Sequence, residues 1–348
     1  MPALKTEITE IATGLGMLAY PSVEEALEQR PSICLNVTEQ HWTRLHQAYQ
    51  TGEFHQDFHS AFENGRYFLN SIEGLRNRLP RIIEWKGPHN PPGYDFLPAD
   101  LRIDHVYLIS CKYLSKILAN VSPSHLFERS LNDRSNHSSM DWYLKVAEPE
   151  YRTLYQMVRE DLSRNHGKEV PESLEDLDSK DRDLISKSYA RKWPSHLEEH
   201  YLSFAYSVSL NSAMIWRDSV PTLKEQELLL WRMLRLNSSP YFILGSSAGS
   251  TLRLRVGTPW DFRQRYILRS FIITAPPSAQ PRVSFQAVVT DKDIGKERSI
   301  DGHVEIRWSH GRFCGYPEAK VYLDSKHEDV PGYFHLEGAD SGNNYSLF

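Results

Sequence analysis

The spacing of apolar residues predicts helical structure in the first quarter of the chain. Between positions 40 and 78, apolar side chains recur at steps of three and four residues, which is the period of an amphipathic helix. They are Trp42, Leu45, Phe54, Phe58, Phe62, Leu69, Ile72 and Leu75. Pro80 then ends the helical pattern. Three short extended segments follow at 81–86, 96–103 and 105–112, and two short helical segments at 114–120 and 124–131.

The rest of the chain changes from a helical to an extended pattern. Residues 132–240 are mostly helical by their pattern, and the acidic stretch 168–183 within them predicts a solvated loop or hinge. Beyond Pro240, β-branched and aromatic runs are separated by Gly, Pro, Asp and Ser, which predicts a largely antiparallel sheet region. We therefore predict an α/β (α+β) fold. Its expected parts are an αβββα core with a mixed sheet in 1–135, a helical segment in 136–240 and a β-rich region in 241–348.

Composition restricts the classes of protein that remain. The chain has 348 residues, of which 40% are hydrophobic, so a sizeable core is available. No apolar run approaches the roughly 18 residues that a membrane-spanning helix needs, and no secretory signal is visible at the start. The three cysteines are too few for a disulfide framework, which favours a cytoplasmic protein, and the lack of a long apolar run favours one with no membrane partner. The formal charge of −5 leaves room for a local basic surface only.

The strongest candidate for chemistry is the stretch from Asp95 to Lys112. A loop brings Asp95 to the start of one extended segment, and the next segment ends in Ser110-Cys111-Lys112. Because side chains alternate along a strand, Ser110 and Lys112 project from the same face. A carboxylate can hold Mg²⁺ or Mn²⁺, whose charge stabilises a reacting phosphodiester, and a lysine can position the attacking water.

With these residues and this order of elements, the segment around 50–131 resembles the PD-(D/E)XK nuclease superfamily, in its restriction-endonuclease-like branch. The resemblance implies an Mg²⁺-dependent endonuclease that hydrolyses DNA, acts in restriction or anti-phage defence, and works as a homodimer or beside a partner ATPase. Asp95 is then a metal ligand. Ser110 stands where the family has an acid, so the missing carboxylate must come from a neighbouring helix, and either Glu63 or Glu128 could supply it.

A second acid-and-lysine motif lies near the C-terminus. Glu318-Ala319-Lys320 is a literal Glu-x-Lys, and Asp301 and Glu305 precede it on an expected hairpin. The flanking segments are strands instead of helices, and Pro317 adjoins the acid, so we rank this site second.

The C-terminal region also carries the residues expected to contact nucleic acid. Arginines are concentrated between 253 and 282, where Asp261 is the single acid, and a Gly-containing turn near 311 is flanked by further basic side chains. Arginine can hydrogen-bond phosphate or guanine through two nitrogens at once. The predicted DNA-binding residues are Arg253, Arg255, Arg263, Arg265, Arg307, His310 and Arg312.

Three other interpretations stay open from the sequence. The nuclease-like core could be inactive and serve as a nucleic-acid-binding or scaffolding subunit of a defence complex, because Ser110 replaces the acid. The substrate could be RNA, since the metal chemistry does not depend on the sugar. The chain could also be a purely structural α+β protein.

Overall fold

The computed structural model describes residues 4–87, 99–113, 117–131, 141–247 and 250–338. These residues form helices and two separate β-sheets, one mixed and one antiparallel, so the predicted mixed α/β fold class is confirmed. Among the helices of these residues, none is both long enough and apolar enough to cross a membrane.

The chain folds into two compact units, each built from separated stretches of sequence. The first unit contains Met1–Ser115, Arg235–Gln264 and Lys326–Phe348, and the second contains Lys116–Leu234 and Arg265–Ser325. This division differs from the three consecutive domains that the sequence predicts. The reason is that strands after Pro240 hydrogen-bond into the sheet of the first unit, while the rest of the C-terminal β region forms a sheet of its own.

The sheet of the first unit has seven described strands in the order β1-β2-β3-β4-β6-β7-β12. These are β1 (Cys34–Leu35), β2 (Ile83–Trp85), β3 (Leu101–Ile103), β4 (Tyr107–Tyr113), β6 (Tyr241–Ser247), β7 (Ser250–Val256) and β12 (Tyr333–His335). Strands β2 and β3 lie within two of the predicted extended segments, β4 overlaps the third and extends one residue beyond it, and the three strands pair antiparallel. Strand β6 runs parallel to β4, so this part of the C-terminal region is not purely antiparallel.

The helices described in the first unit are α1 (Leu4–Gly16), α2 (Val23–Gln29), α3 (Glu39–Gln50), α4 (His55–Asn70) and α10 (Pro259–Arg265). The last residue of α10, Arg265, is the first residue of the second unit's second stretch. The predicted helical stretch 40–78 is thus two helices, and it ends at Asn70 because Ser71 adopts an extended conformation. Helices α1 and α4 cross closely. A Cβ on Gly16 would lie 2.0 Å from the Phe62 carbonyl oxygen, and one on Gly65 would lie 1.9 Å from the Thr13 carbonyl oxygen.

The second unit places helices beside a five-stranded antiparallel sheet of order β5-β11-β10-β9-β8. Its strands are β5 (Ile117–Val121), β8 (Tyr266–Thr274), β9 (Arg282–Asp291), β10 (Lys296–Trp308) and β11 (Pro317–Leu323). Its helices are α5 (Pro123–Phe127), α6 (Trp142–His166), α7 (Ser179–Ser188), α8 (Ser195–Ser219) and α9 (Leu223–Met233), which agrees with the mostly helical pattern of 132–240 where it is described. The acidic stretch 168–183 contains a short 3-10 turn and the start of α7.

The prediction of a helix at 114–120 is wrong in its described part. Residues from Ile117 onwards form strand β5, which pairs antiparallel with β11 so that Val121 lies opposite Ala319. Leu118 is buried in this position. The pattern of a short apolar run fits either element, and here a strand from near the other end of the chain decides between them.

Candidate active site

The β3–β4 hairpin fixes Asp100, which directly precedes β3, beside the end of β4. The Cys111 amide donates a hydrogen bond to Asp100 Oδ2 over 2.6 Å, and the Ser110 hydroxyl lies 3.4 Å from the same oxygen. The Asp100 backbone is held as well, because its amide donates to the Ile109 carbonyl over 2.8 Å and its carbonyl accepts from the Lys86 amide over 2.9 Å. The carboxylate therefore has a fixed position at the open end of the hairpin.

Helix α1 supplies a second carboxylate, that of Glu10. The helix packs against α4 and also contacts β2 and β4. The indole nitrogen of Trp85 on β2 donates to Glu10 Oε2 over 2.7 Å, and Trp85 itself is fully buried. Glu10 is only 9% exposed. A buried hydrogen bond from a rigid indole sets the orientation of this carboxylate.

Lys112 brings a positive charge to the two carboxylates. It lies two residues after the buried Ser110, on the same face of β4, while Cys111 between them packs against the apolar core. Lys112 is partly buried, and it interacts electrostatically with Asp100 and Glu10. We call Glu10, Asp100 and Lys112 the Lys112 cluster.

Burial perturbs every charged group of the Lys112 cluster. Burial, and after it the charge of Asp100, raises the pKa of Glu10 to about 8. Burial also raises the pKa of Asp100, although the Lys112 charge and the Cys111 amide oppose the shift. The pKa of Lys112 is lowered, first by burial and then by the positive charge of Arg235, while Asp100 acts in the opposite direction. Carboxylates with raised pKa values beside an amine with a lowered pKa are typical of functional sites.

The donor set of the cluster fits a hard divalent cation such as Mg²⁺ or Mn²⁺. The two carboxylates interact electrostatically, the Ser110 hydroxyl lies beside Asp100, and one lysine cannot neutralise both acids once they ionise. Within the parts of the chain that the structure describes, no group of three or more His, Cys, Asp or Glu side chains is arranged to hold a metal. Glu10 and Asp100 would thus hold the cation with help from backbone or water oxygens.

The other face of β4 is held by a polar contact network. Asn64 of α4 donates to the Tyr113 hydroxyl over 3.2 Å and to the Gly245 carbonyl over 3.1 Å. Gly245 on β6 has no room for a side chain, since a Cβ there would lie 1.7 Å from the Lys112 carbonyl oxygen. Close contact with β6 therefore fixes the backbone of Lys112.

The structure brings together only some of the predicted catalytic residues. Lys112 and Ser110 both lie in the cluster region, whereas Asp95 lies outside the described residues. Glu63 is on α4, but it is exposed and pairs with Arg66 over 3.2 Å, because the neighbouring Asn64 takes the inward position of that helix turn. We therefore correct its expected role as a metal ligand. Glu128 belongs to the second unit, where it forms an ion pair with Lys145, and its role as a ligand stays a prediction.

Asp100 and Glu10 were missed by reasoning from the sequence. Asp100 directly precedes the apolar-polar-apolar strand Leu101–Ile103, and an acid at that place lies opposite Ser110 in the hairpin. Glu10 could have been noticed as an acid in the helical pattern of Ile8, Ile11 and Leu15, which are buried in α1. An acidic residue among the buried positions of a helix is uncommon unless it is paired or functional.

The predicted DNA-binding residues are divided between the two units. Arg253, Arg255 and Arg263 belong to the first unit, and Arg265, Arg307, His310 and Arg312 to the second. Most of them make internal contacts.

In the first unit, Arg253 donates to Asn64 Oδ1 over 3.0 Å and stacks on Tyr67, and Arg255 stacks on Phe334 with its guanidinium 4.7 Å from the ring centre. Arg263 is exposed. In the second unit, Arg265 pairs with Asp291 over 3.0 Å. These contacts give the two stacked arginines and Arg265 structural roles in addition to any contact with a ligand.

The turn near Gly311 is also internally bonded. Arg312 donates to the Tyr189 carbonyl and lies 4.0 Å from the ring centre of Trp193. His310 Nδ1 lies 2.8 Å from the Ser309 hydroxyl. Arg307, on β10, remains 43% exposed and lies 3.8 Å from Glu318.

The Glu318–Lys320 motif forms a network of opposite charges across β10 and β11. Lys320 lies 2.9 Å from Glu318, and in the strand pairing Glu305 is opposite Lys320 and Arg307 is opposite Glu318. Partial burial alone would raise the pKa of Glu318, but hydrogen bonds from Asn120 and Lys320 and the charge of Arg307 lower it. We call Glu305, Arg307, Glu318 and Lys320 the Lys320 network.

Comparisons with known proteins return nothing similar. The chain matches no family model, no curated protein and no solved structure. A proposal of function therefore depends on the geometry and charges of the site, together with the resemblance that the sequence motif indicates.

Proposed function

We propose that the protein is a divalent-cation-dependent nuclease whose active site is the Lys112 cluster. The observation that carries the proposal is a pair of hydrogen-bonded carboxylates, the buried Glu10 and the partly buried Asp100, which both interact electrostatically with Lys112. Keeping two ionised carboxylates together without a cation is unfavourable. The arrangement is therefore matched to an added divalent charge.

The order of elements supports phosphodiester hydrolysis as the reaction. Asp100, Ser110 and Lys112 stand in the hairpin as the PD-(D/E)XK resemblance expects of an aspartate and an x-x-Lys strand, with Asp100 in place of Asp95, and Glu10 supplies the acid from a preceding helix. This resemblance is the reason for choosing DNA as substrate. By the same resemblance we propose a role in restriction or other defence, in the cytoplasm, as a homodimer or with a partner ATPase.

The residues of the cluster have different roles in the proposed hydrolysis. Glu10 and Asp100 would hold the cation, which would supply positive charge against the charge that develops on the phosphate. Lys112, with its lowered pKa, hydrogen-bonds the attacking water and can accept its proton. The water oxygen forms a bond to phosphorus while the bond to the leaving sugar oxygen breaks, and that oxygen takes up a proton from solvent. The Trp85 indole keeps Glu10 in position.

Cleavage assays on purified protein test the proposal. Plasmid, linear duplex, single-stranded DNA and RNA are incubated with Mg²⁺, with Mn²⁺ and with EDTA. We expect metal-dependent cleavage of DNA that is lost in Asp100→Asn, while Glu318→Gln, the matched change in the other acid-and-lysine motif, keeps it. Cleavage that survives Asp100→Asn and disappears in Glu318→Gln would move the active site to the second unit.

A second candidate function follows from Ser110. Because a serine occupies the position of the family's second acid, the same residues could bind nucleic acid without cleaving it. In that case wild-type protein and Lys112→Ala would both leave DNA intact under every metal condition, while a gel-shift assay would still show binding.

A further inference from the structure

The second unit contains a cavity of about 270 Å³. It lies where the start of α6, the first turns of α7 and the loop between β10 and β11 meet. Its lining combines two apolar side chains, three charged ones and one aromatic one: Leu144, Leu174, Asp141, Glu175, Arg182 and Tyr316. Ligand sites usually measure roughly 300–1,000 Å³, so this cavity suits a small ligand such as a single planar ring system.

Asp141 presents a carboxylate to this cavity. It caps the N-terminus of α6, where it accepts a hydrogen bond from the Tyr143 amide over 2.9 Å, and the Leu144 amide is its second backbone donor. A carboxylate has about four acceptor positions, so this one retains capacity for a ligand. Burial raises the pKa of Asp141 although the two amides and Arg182 oppose the shift, as expected of a carboxylate with too few donors around it.

Arg182 presents a guanidinium in a fixed orientation to the same cavity. Its Nη1 donates to the Phe313 carbonyl over 2.9 Å and its Nε to the Leu177 carbonyl over 3.3 Å. A guanidinium has five N–H groups, so three of them make no hydrogen bond within the described parts of the chain. Glu175, the other acid of the lining, is already held by both terminal nitrogens of Arg152. The remaining charges of the lining, one negative and one positive, balance each other.

Tyr316 supplies an exposed aromatic ring at the edge of the cavity. It is 66% exposed although it lines the cavity. The turn before it is closed by backbone hydrogen bonds, from the His310 amide to the Cys314 carbonyl over 3.1 Å and from the Ser309 amide to the Tyr316 carbonyl over 3.3 Å. Gly315 has a φ of 77°, which favours glycine. An exposed ring on such a fixed turn can stack on a nucleobase.

We propose that this cavity binds a guanine base, with Asp141 on its Watson–Crick edge, Arg182 on O6 and N7, and Tyr316 stacked on its face. Guanine has two adjacent donors, N1–H and the N2 amino group, for one carboxylate, and two adjacent acceptors for one guanidinium. Adenine and cytosine offer the carboxylate a single donor group, so a polar group would stay unpaired. A neutral base also suits a lining with balanced charges. The site goes beyond the proposed nuclease function, since none of its residues belongs to the Lys112 cluster.

Asp141→Asn tests the recognition while keeping the helix cap. Asparagine caps a helix as well as aspartate does, so the thermal midpoint should stay that of the wild type. The new amide places a donor opposite a guanine donor, so GMP should bind about 5–150-fold more weakly. Xanthosine monophosphate, which has a carbonyl in place of the N2 amino group, should bind more tightly to Asp141→Asn than to the wild type. Isothermal titration calorimetry in EDTA measures both nucleotides, and unchanged affinities for both would overturn the proposal.

Tyr316→Ala tests the stacking contact. It should weaken GMP binding by about 5–150-fold, which corresponds to the loss of one stacked base. Tyr206→Ala is the matched control, because Tyr206 is another exposed tyrosine of the second unit, on α8 and outside the cavity lining. It should bind GMP as the wild type does. An equal affinity of the wild type for AMP, CMP and GMP, or an unchanged affinity in Tyr316→Ala, would overturn the proposal.

Two probes distinguish a free nucleotide from a nucleic-acid strand as the source of the base. GMP represents the first, and a labelled oligothymidylate that carries one guanine, compared with the same strand without it, represents the second. Preference for either guanine probe supports the site and identifies the source, whereas no preference in both overturns it. Because EDTA prevents metal-dependent cleavage, guanine binding by a protein that never cleaves DNA would keep this site and reject the nuclease function. Cleavage by a protein with no preference for guanine would do the reverse.

Discussion

The Lys112 cluster and the Lys320 network both combine carboxylates with a lysine on a β-strand, but they balance charge in opposite ways. In the Lys320 network each acid has a basic partner across β10 and β11, and the pKa of Glu318 is lowered. In the Lys112 cluster two acids have a single lysine as their shared basic neighbour, and the pKa values of both acids are raised, mainly by burial.

This contrast shows that a match to the residue pattern of a motif does not by itself predict a catalytic site. In the literal Glu-x-Lys motif, each acid has a basic partner within the Lys320 network. Ser110-x-Lys112, in contrast, lies beside two acids that share a single lysine, so a cation could bind there. An ion pair in solvent contributes little beyond solubility and local order. A buried like-charge pair is costly without a ligand, and that cost becomes binding energy when the ligand arrives.

The largest expected difference between the two groups is in activity. Lys112→Ala should lower the cleavage rate by about 10²–10⁴-fold, because it removes the residue that positions the water. Lys320→Ala, the matched change on β11, should stay within about twofold of the wild type, since it breaks only an ion pair near the surface. Initial rates on a linear duplex measure both. Equal losses in the two variants would mean that the contrast in burial does not locate the active site.

Replacing Ser110 with an acid should sharpen the contrast in stability. Ser110→Asp adds a carboxylate at a position that is 1% exposed, next to Asp100, so the metal-free protein should lose about 1–3 kcal/mol of unfolding free energy. Mg²⁺ should recover much of this loss, because three carboxylates bind the cation more tightly than two.

Thermal unfolding with Mg²⁺ and with EDTA measures the effect of the added acid. Ser110→Asn is the control, since it has nearly the same size without the charge. If Mg²⁺ stabilises the two variants equally, no cation binds beside Ser110, and the metal site assigned here is wrong.

The two groups should also respond oppositely to pH. The folded-state pKa of Glu10 is raised to about 8 by burial and by Asp100, so its contribution to stability is complete below its unfolded value and disappears as pH rises through about 8. The pKa of Glu318 is lowered, so its contribution is present above its unfolded value and is lost in acid.

Thermal midpoints of the metal-free protein between about pH 6 and pH 9 should therefore fall, and Glu10→Gln should flatten the fall. Mg²⁺ should stabilise the protein more at the upper end of this range, because protons compete with the cation for the carboxylates. A wild-type profile that matches Glu10→Gln would show that Glu10 does not titrate in this range.

The contrast between the two groups also shows what sequence patterns could and could not predict. The three strands around the hairpin and the common face of Ser110 and Lys112 follow from local alternation, which a sequence displays directly. Glu10 could not be placed, because its approach to Lys112 depends on how α1 packs on the sheet. The sequence alone does not distinguish Asp100 from Asp95 as the acid of the site. The strand register, which the sequence does not show, places Asp100 opposite Ser110.

Pairing between strands far apart in sequence explains the remaining differences between the predicted and the observed fold. Strand β5 is extended because β11 pairs with it, and β6 joins the first sheet because it lies beside β4. None of these contacts leaves a periodic signal in the residues themselves.

The smallest expected effect concerns the stability of the Lys320 network. Glu318 and Lys320 are each about one-fifth exposed and lie within a set of opposite charges, so a double-mutant cycle of Glu318→Gln and Lys320→Met should give a coupling of about 0.2–1 kcal/mol. Because solvent reaches the pair, added salt should weaken this coupling. Urea unfolding at low and high salt measures it. A coupling of several kcal/mol that does not weaken with salt would show that the Lys320 network is as strongly desolvated as the Lys112 cluster. Desolvation would then no longer distinguish the proposed active site from the Lys320 network.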